Sequence, residues 1–346
     1  MKILHVIFSL NTGGAESMLV DIINEQSKTQ IVELIIVNNL VNKELIGNID
    51  KEVLIHQLNR KPGSINPLPI LKFNYKVFKS NPTVVHFHNH NGINLLKYRI
   101  KAFTCLTLHT VNMPYINFLK YKKLFSISNS VQDDVMKRTG IKPFKIYNGI
   151  RFGDVERNFN YDKSENFKII QVGRLDHEKK GQHIMIKAIN ILVKQKGITN
   201  IQVDFIGDGE SLKYLKNLAQ ELNLEKHINF LGNKTREFIY KELKNYHLLV
   251  QPSLFEGFGL TVVEGIAAKI PVLVSDIDGP MEIINNGKYG FYFLAGDANS
   301  CADKIYNIIN NYQSEIINFK MNESYNYANE NFNIKETAVN YIKNYE

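Results

Sequence analysis

"KIIQVGRLDHEKKGQHIMIKAINILVKQKGITNIQVDFIG", residues 168–207, holds an apolar run, a polar glycine-containing loop, an amphipathic stretch and a second apolar run. The first run predicts a buried strand. Apolar residues at helical spacing from about Gln182 predict a helix, and "IQVDFIG" predicts a second strand. A helix between two such strands makes a crossover unit, so the strands lie parallel. Outward from this unit the alternation repeats. Ahead of it stand "ILHVIFSL", a helix over about Ala15–Gln26, and the strands "VELIIV", "VVHFH", "FTCLTLH" and "LFSIS". Behind it come a helix over Ser211–Leu222, "INFLG", "HLLVQPS", a helix after Gly259, and "PVLVS". Nearly continuous apolar strands separated by helices imply α/β architecture with parallel sheets covered on both faces.

The pattern restarts after "IYNGIRFGDVERNFNYDKSENFK", a polar stretch that reads as a linker. Two doubly wound domains follow, 1–155 and 156–332. The tail "NYANENFNIKETAVNYIKNYE" reads as a helix with no strand after it. A chain of 346 residues suffices for both cores.

The apolar share of 44% and charged share of 22% belong to a soluble globular class. Two cysteines in no metal or redox spacing point to a reducing compartment. "MKILHVIFSL" carries His5 and lacks a cleavage pattern after it, so it reads as a first strand and the expected location is the cytoplasm. The net charge of +8 is uneven. Residues 1–150 hold 19 Lys and Arg against 9 Asp and Glu, and no acid stands between Glu52 and Asp133. Scattered solvated lysines explain the abundance of bases, but a surface facing anions better explains the missing acids.

Ligands of open α/β sheets sit at the carboxyl ends of the strands, and the polar residues cluster there. "NTGGAE" puts Gly13 and Gly14 in a turn before a helix, where free N–H groups can meet an anion or the turn is simply structural. "VVHFHNH" sets His86, His88 and His90 on one strand face, as cleft lining rather than a metal site. His109 ends the next strand, either meeting a substrate hydroxyl or satisfied within the core. Arg174 and Lys180 can converge on a diphosphate. Gly207 and Asp208 form a glycine turn suited to a nucleotide base or ribose. Asp276 and Asp278 make a D-x-D in a strand-to-helix loop, where no metal is expected. "LFEGFGLTVVEG", 254–265, brackets a glycine turn with Glu256 and Glu264. Backbone N–H groups of Gly257, Phe258, Gly259 and Leu260 and the following helix end suit phosphates, with the carboxylates on hydroxyls at either side.

These motifs resemble the retaining GT-B glycosyltransferases of family 4 over nearly the whole chain. Glu256 to Glu264 is similar to the family's E-x7-E, "GRLDHEKKG" to its Arg/Lys phosphate motif, and "NTGGAE" to its glycine loop. "YNGI" at 147–150 resembles the segment before its interdomain linker, and "SDIDGPMEIINNGKYGF" its late glycine segment, with Asp278 in place of the first glycine. The resemblance implies two facing Rossmann-like domains, an acceptor domain of 1–155 with a helix over about 333–346 crossing back to it, and a donor domain of 156–332. It implies that Arg174 and Lys180 hold the donor diphosphate, Glu256 the sugar hydroxyls and Glu264 the ribose. His109 would lie near the transferred sugar, with Gly14, Gly207 and Asp208 on the donor and Gly13 and His88 on the acceptor side. The co-substrate would be a nucleotide-diphosphate sugar, with neither cofactor nor metal. The acceptor would be a glycan or a polyprenyl-diphosphate-linked saccharide in surface polysaccharide synthesis.

"YINFLKYKKLF", 115–125, reads as a basic amphipathic helix able to lie on the anionic inner face of the cytoplasmic membrane. Among rivals, a sugar-nucleotide epimerase or glycosyl phosphorylase shares the two-domain architecture. A dehydrogenase lacks its full glycine pattern here. A polyanion- or nucleic-acid-binding module explains the basic first half but not the slightly acidic second, so no nucleic acid is expected.

Overall fold

The computed structural model describes residues 1–11, 13–158 and 166–345. In chain order, the first elements are β1 (Lys2–Ile7), α1 (Gly14–Ser27), β2 (Ile31–Asn38), α2 (Lys43–Gly47), β3 (Leu54–Arg60), α3 (Leu68–Ser80), β4 (Val84–Phe87), β5 (Phe103–Leu108), β6 (Lys123–Ser126), α4 (Asn129–Thr139) and β7 (Phe144–Lys145). Then come β8 (Phe167–Val172), α5 (His177–Lys180), α6 (Gln182–Lys194), β9 (Ile201–Ile206), α7 (Leu212–Glu221), β10 (Ile228–Gly232), α8 (Arg236–Glu242), β11 (Leu248–Gln251), α9 (Leu260–Ala267), β12 (Val272–Ser275), α10 (Asp278–Ile283), β13 (Phe291–Phe293), α11 (Ala298–Asn310), α12 (Glu315–Asn331) and α13 (Ile334–Lys343). They form two compact units, one of Met1–Ile150 with Phe332–Glu346 and one of Arg151–Asn331.

Each unit is a parallel sheet. The first has strand order β3-β2-β1-β4-β5-β6-β7 and the second β10-β9-β8-β11-β12-β13. In both, the order reverses beside the unit's first strand, between β1 and β4 and between β8 and β11. The crevice at that switch point, outside the carboxyl ends of the strands, is where such sheets take ligands. Burial follows from the sequence. Ile3, Leu4 and Val6 of β1 and Ile169 and Ile170 of β8 are sealed, as strands covered on both faces must be.

Several expectations change. The tail is two helices. The first, α12, ends at Asn331, and Asn333 caps α13, its side chain accepting from Lys335 N, while Ile150 and Phe332–Ile334 exchange backbone hydrogen bonds. Only α13 crosses back, packing on α1 of the first unit. The expected linker is pinned at its near end, where Glu156 N donates to Tyr240 O and Asn158 N to Ala268 O. Its residues 159–165 lie outside the described ones.

The basic helix expected at 115–125 does not form. Phe118–Lys120 is a single 3-10 turn and Lys123 already starts β6, because Leu124 and Phe125 are needed in the sheet core. An amphipathic basic helix exists elsewhere, in α3. Phe73, Val77 and Ser80 face inward, while Leu68, Leu71, Tyr75 and Phe78 form an exposed stripe beside Lys72 and Lys79. Among the described residues no helix is long and apolar enough to cross a membrane.

Candidate active site

In the second unit, the loops after β8 and β11 are bound together. Leu254 N and Phe255 N both donate to Lys179 O, at 2.8 and 3.2 Å. Gly181 closes the short helix α5 at φ +66°, and a Cβ there would lie 1.8 Å from Pro252 O, so only glycine permits this approach. The result sets Lys180 against Glu256, with Nζ donating to Oε2 at 2.5 Å. Their side chains keep 28% and 18% of their exposure, so the pair is half-buried and open to solvent. Gln251, the last residue of β11, also donates to Glu256 Oε2 at 2.9 Å, and Thr261 Oγ1 donates to Gln251 Oε1 at 3.0 Å. One edge of the Glu256 carboxylate is thus fixed by two donors. An ammonium has three N–H groups, and this contact uses one of Lys180's.

Gly259 caps α9 at φ +107°, in the left-handed region. Phe258 is buried, which leaves only backbone of that residue to a ligand, and Glu264 is also buried within α9. Arg174 sits in the loop after β8 with its guanidinium exposed and no side-chain partner among the described residues, while its carbonyl accepts from Gln182 Nε2 at 2.9 Å. Gly279 packs under the 256–258 loop, where a Cβ would come within 2.8–3.0 Å of the backbone of Glu256, Gly257 and Phe258.

Other expected residues have local structural partners here. Gly207, at φ +137°, lets the loop after β9 touch Gly173, whose oxygen a Cβ would meet at 2.0 Å. Asp208 turns its carboxylate onto Gly209 N at 2.8 Å. Asp276 accepts from Ala295 N at 2.7 Å, and Asp278 begins α10. Gly13 is extended, at φ −177°, so its turn uses no glycine-only conformation. Gly14 is the first residue of α1, and Thr12 lies outside the described residues.

The first unit builds something different at its switch point. His5 and His86 pair across β1 and β4, and His88 follows β4 directly. His90 does not share their face, because β4 stops at Phe87 and the chain turns, His90 O accepting from Tyr121 OH at 3.0 Å. His5 takes the expected place of His90. His5 Nε2 meets Gln26 Oε1 at 2.8 Å, His5 Nδ1 meets His88 Nε2 at 3.0 Å, and His88 Nδ1 meets His109 Nε2 at 3.3 Å. His86 bonds Tyr345 OH at 2.8 Å and Thr107 Oγ1 at 2.7 Å, and Thr107 in turn meets Tyr341 OH at 3.1 Å.

Burial disfavours the charged imidazolium at all four histidines. It lowers His5 and His109 to about 4, and holds His86 and His88 well below the usual range, with neighbouring rings adding repulsion. His5, His86 and His88 have nitrogens close enough to share a metal ion. Each of those nitrogens already has a protein partner, so the cluster is complete as a hydrogen-bonded set. His5, Gln26, Gln251 and Gly279 escaped the sequence reading. The signal was a polar side chain inside or at the end of an otherwise apolar strand, visible for His5 and Gln251 and ambiguous until their neighbours are known.

The family model for glycosyl transferases group 1 matches residues 154–331, over half of the chain. The chain belongs to that family. A Campylobacter jejuni N-acetylgalactosamine-N,N'-diacetylbacillosaminyl-diphospho-undecaprenol 4-alpha-N-acetylgalactosaminyltransferase is 26% identical over 85% of this chain and 86% of its own length. An uncharacterized Methanocaldococcus jannaschii glycosyltransferase is 26% identical over 66% of this chain and 63% of its own, so the match spans under two thirds of that relative. The Anabaena protein HepE, crystallised with UDP and glucose, superposes with TM-score 0.83 at 19% identity, covering 99% and 98% of the two chains. A Rickettsia africae glycosyltransferase gives 0.82 at 21% identity, covering 99% and 97%. The group 1 glycosyltransferase fold is therefore GT-B, two Rossmann-like units with α13 returned to the first.

Proposed function

We propose that this group 1 glycosyltransferase moves a sugar from a nucleotide-diphosphate donor to a glycan or lipid-diphosphate-linked saccharide, with retention at the anomeric carbon. The observation that carries the reading is the Lys180–Glu256 pair, held by two fixed loops at the switch point beside the N-terminus of α9. Lys180's remaining N–H groups, the free Arg174 guanidinium and the α9 backbone donors supply positive potential for a diphosphate. Glu256, with one carboxylate edge fixed, receives sugar hydroxyls, and Glu264 the ribose. HepE was crystallised with UDP and glucose, and the Campylobacter relative is named for a diphospho-undecaprenol-linked substrate; both support the substrate classes chosen here.

In this mechanism the acceptor hydroxyl attacks from the face that the diphosphate leaves, and a phosphate oxygen takes its proton. The C–O bond to phosphate breaks as the new glycosidic bond forms. Arg174, Lys180 and the α9 N–H groups stabilise the departing charge, which is where fixed electrostatics lowers a barrier most. No metal is assigned a part. A thermal-shift screen of nucleoside diphosphates and their sugars tests the site. A native-state ligand raises the melting temperature, and that rise should vanish in Lys180→Ala with Arg174→Ala. A wild-type protein that no nucleotide stabilises sinks the reading.

The same reading includes docking on an anionic bilayer through the first unit. The exposed α3 stripe of Leu68, Leu71, Tyr75 and Phe78 would enter the interface, with Lys72 and Lys79 on headgroups. Asn74 of α3 donates to Leu95 O, and Lys120 bonds Asn94 beside it. That join extends the surface to the exposed Ile116 and Leu119.

A further inference from the structure

Each of the three charged residues at the second unit's switch point takes a hydrogen bond from a glutamine amide. Gln171 of β8 donates from Nε2 to the Lys180 carbonyl at 2.8 Å, Gln182 of α6 to the Arg174 carbonyl at 2.9 Å, and Gln251 of β11 to Glu256 Oε2 at 2.9 Å. All three glutamines are buried. β8 and β11 are neighbouring strands of the sheet, so Gln171 and Gln251 stand on its rigid part. An amide donates without carrying charge. A carboxylate in its place has no hydrogen to give a carbonyl, and it would set a negative charge beside the two cations. Glutamine therefore fixes the loops and leaves the positive potential of Arg174 and Lys180 undiminished.

At Glu256 the hold reaches the carboxylate itself. Lys180 Nζ and Gln251 Nε2 both donate to Oε2, whereas Oε1 has no partner among the described residues and is not sealed from solvent. The Gln251 amide can face only one way, because its own oxygen turned to the carboxylate would oppose two acceptors. Thr261 Oγ1, 3.0 Å from Gln251 Oε1, must then donate its one hydrogen there. Lysine alone does not fix the carboxylate's direction, since its ammonium is a compact charge on a flexible four-carbon stem. We propose that Gln171, Gln182 and Gln251 are positioning residues for Lys180, Arg174 and Glu256, and that Gln251, locked by Thr261, keeps Glu256 Oε1 as the carboxylate's free acceptor. This deepens the transferase reading and rests on it for the identity of the ligand. The lock itself rests on the hydrogen bonds alone. A division of labour follows: Gln171 and Gln182 act on the two cations and so on a diphosphate, while Gln251 and Thr261 act on the carboxylate and so on the sugar.

Nitrogen-15 NMR of the glutamine side-chain amides in the full chain reads the lock without any substrate, with the Gln251 signals assigned by their loss in Gln251→Met. Wild type should show the Gln251 amide hydrogens shifted downfield and protected from exchange with water. Thr261→Val keeps the shape but removes the hydroxyl and should lower that protection, and Thr261→Ser should restore it. In transfer assays Thr261→Val and Gln251→Met should each lose about tenfold in kcat, with recovery in Thr261→Ser; tenfold corresponds to about 1.4 kcal/mol of barrier. The thermal shifts given by uridine, guanosine and adenosine diphosphates should stay those of wild type in both. Gln171→Met and Gln182→Met should do the converse, reducing the diphosphate shift and raising donor KM. Thr261 is half-exposed, so its two variants decide the matter even where a buried methionine variant does not fold. A Gln251 amide unprotected in wild type, or a Thr261→Val protein with wild-type kcat, overturns the inference. So does diphosphate binding that falls together with kcat in Thr261→Val, or that is unchanged in both folded Gln171→Met and Gln182→Met. Wild-type protein that shows the protected amide but turns over no nucleotide sugar counts against the transferase reading and leaves the lock standing.

Discussion

The two units share one order over six strands, the first adding β7 at its edge, and they differ at the place where that order lets a ligand in. At the switch point of the second unit the protein keeps charge: Lys180 and Glu256 face each other with solvent access, and Arg174 is exposed. At the switch point of the first it keeps neutral imidazoles, sealed under aromatic side chains of the returning tail. Charge is tolerated where water reaches it and neutralised where it does not. The same topology thus yields an electrostatic grip in one half and a hydrogen-bond template in the other. Parallel strands ending side by side provide both, because each carboxyl end exposes a loop while the strand behind it stays dry.

The contrast is broken most severely by acid. In the unfolded chain these histidines bind protons below about 6.5, but burial keeps His5 and His109 neutral down to about 4, and His86 and His88 are also held low. Between those limits the unfolded state binds more protons than the folded one. Stability is therefore full above the unfolded value and falls as pH drops from about 6.5 toward 4, where the share of His5 and His109 is lost. Each such histidine contributes a slope of roughly 1.4 kcal/mol per pH unit. Denaturant melts across this window should show several kcal/mol lost, with signals from the first unit leading. A flat stability profile would mean that the histidines are solvated.

Next in size is the charged half. Glu256→Ala and Lys180→Ala should each lower transfer by 10²–10³-fold, about 3–4 kcal/mol of barrier, as typical for loss of a fixed electrostatic donor. Both residues are partly exposed, so circular dichroism should show the fold retained. Full activity in a radiolabelled-donor assay would detach the pair from the chemistry, and an unfolded variant would make it structural. The smallest effect is expected at the α3 surface. Leu71→Glu with Phe78→Glu should weaken sedimentation with anionic vesicles and leave stability within about 0.5 kcal/mol, as exposed substitutions usually do. Binding equal on neutral and anionic vesicles would remove the electrostatic part of that docking.

The alternation of strands and helices was legible because buried parallel strands read as unbroken apolar runs. The Lys180–Glu256 pairing of the second unit was legible for a related reason: the glycines and charges that make it cluster after the carboxyl ends of those runs. The histidine line was not. His86, His88 and His109 are visible as strand-end polar residues, but their partners His5 and Gln26 come from β1 and α1, and nothing in local spacing joins them. The basic helix was misplaced for a physical reason too. "YINFLKYKKLF" has helical charge spacing, yet Phe125 and Leu124 are claimed by the sheet, and tertiary burial overrides local preference. The α3 segment carries the same apolar and basic composition without a strand competing for it.

The tyrosines that close the histidine cluster belong to residues 332–345, which follow the entire second unit along the chain. During synthesis, β1 emerges first yet waits for its aromatic cover until every strand of the other sheet has been made. Pairing His86 with Tyr345 closes a loop of 259 positions, and contacts so distant in sequence form slowly. The half begun first should therefore be the half finished last, its imidazoles wet and protonatable until the tail arrives.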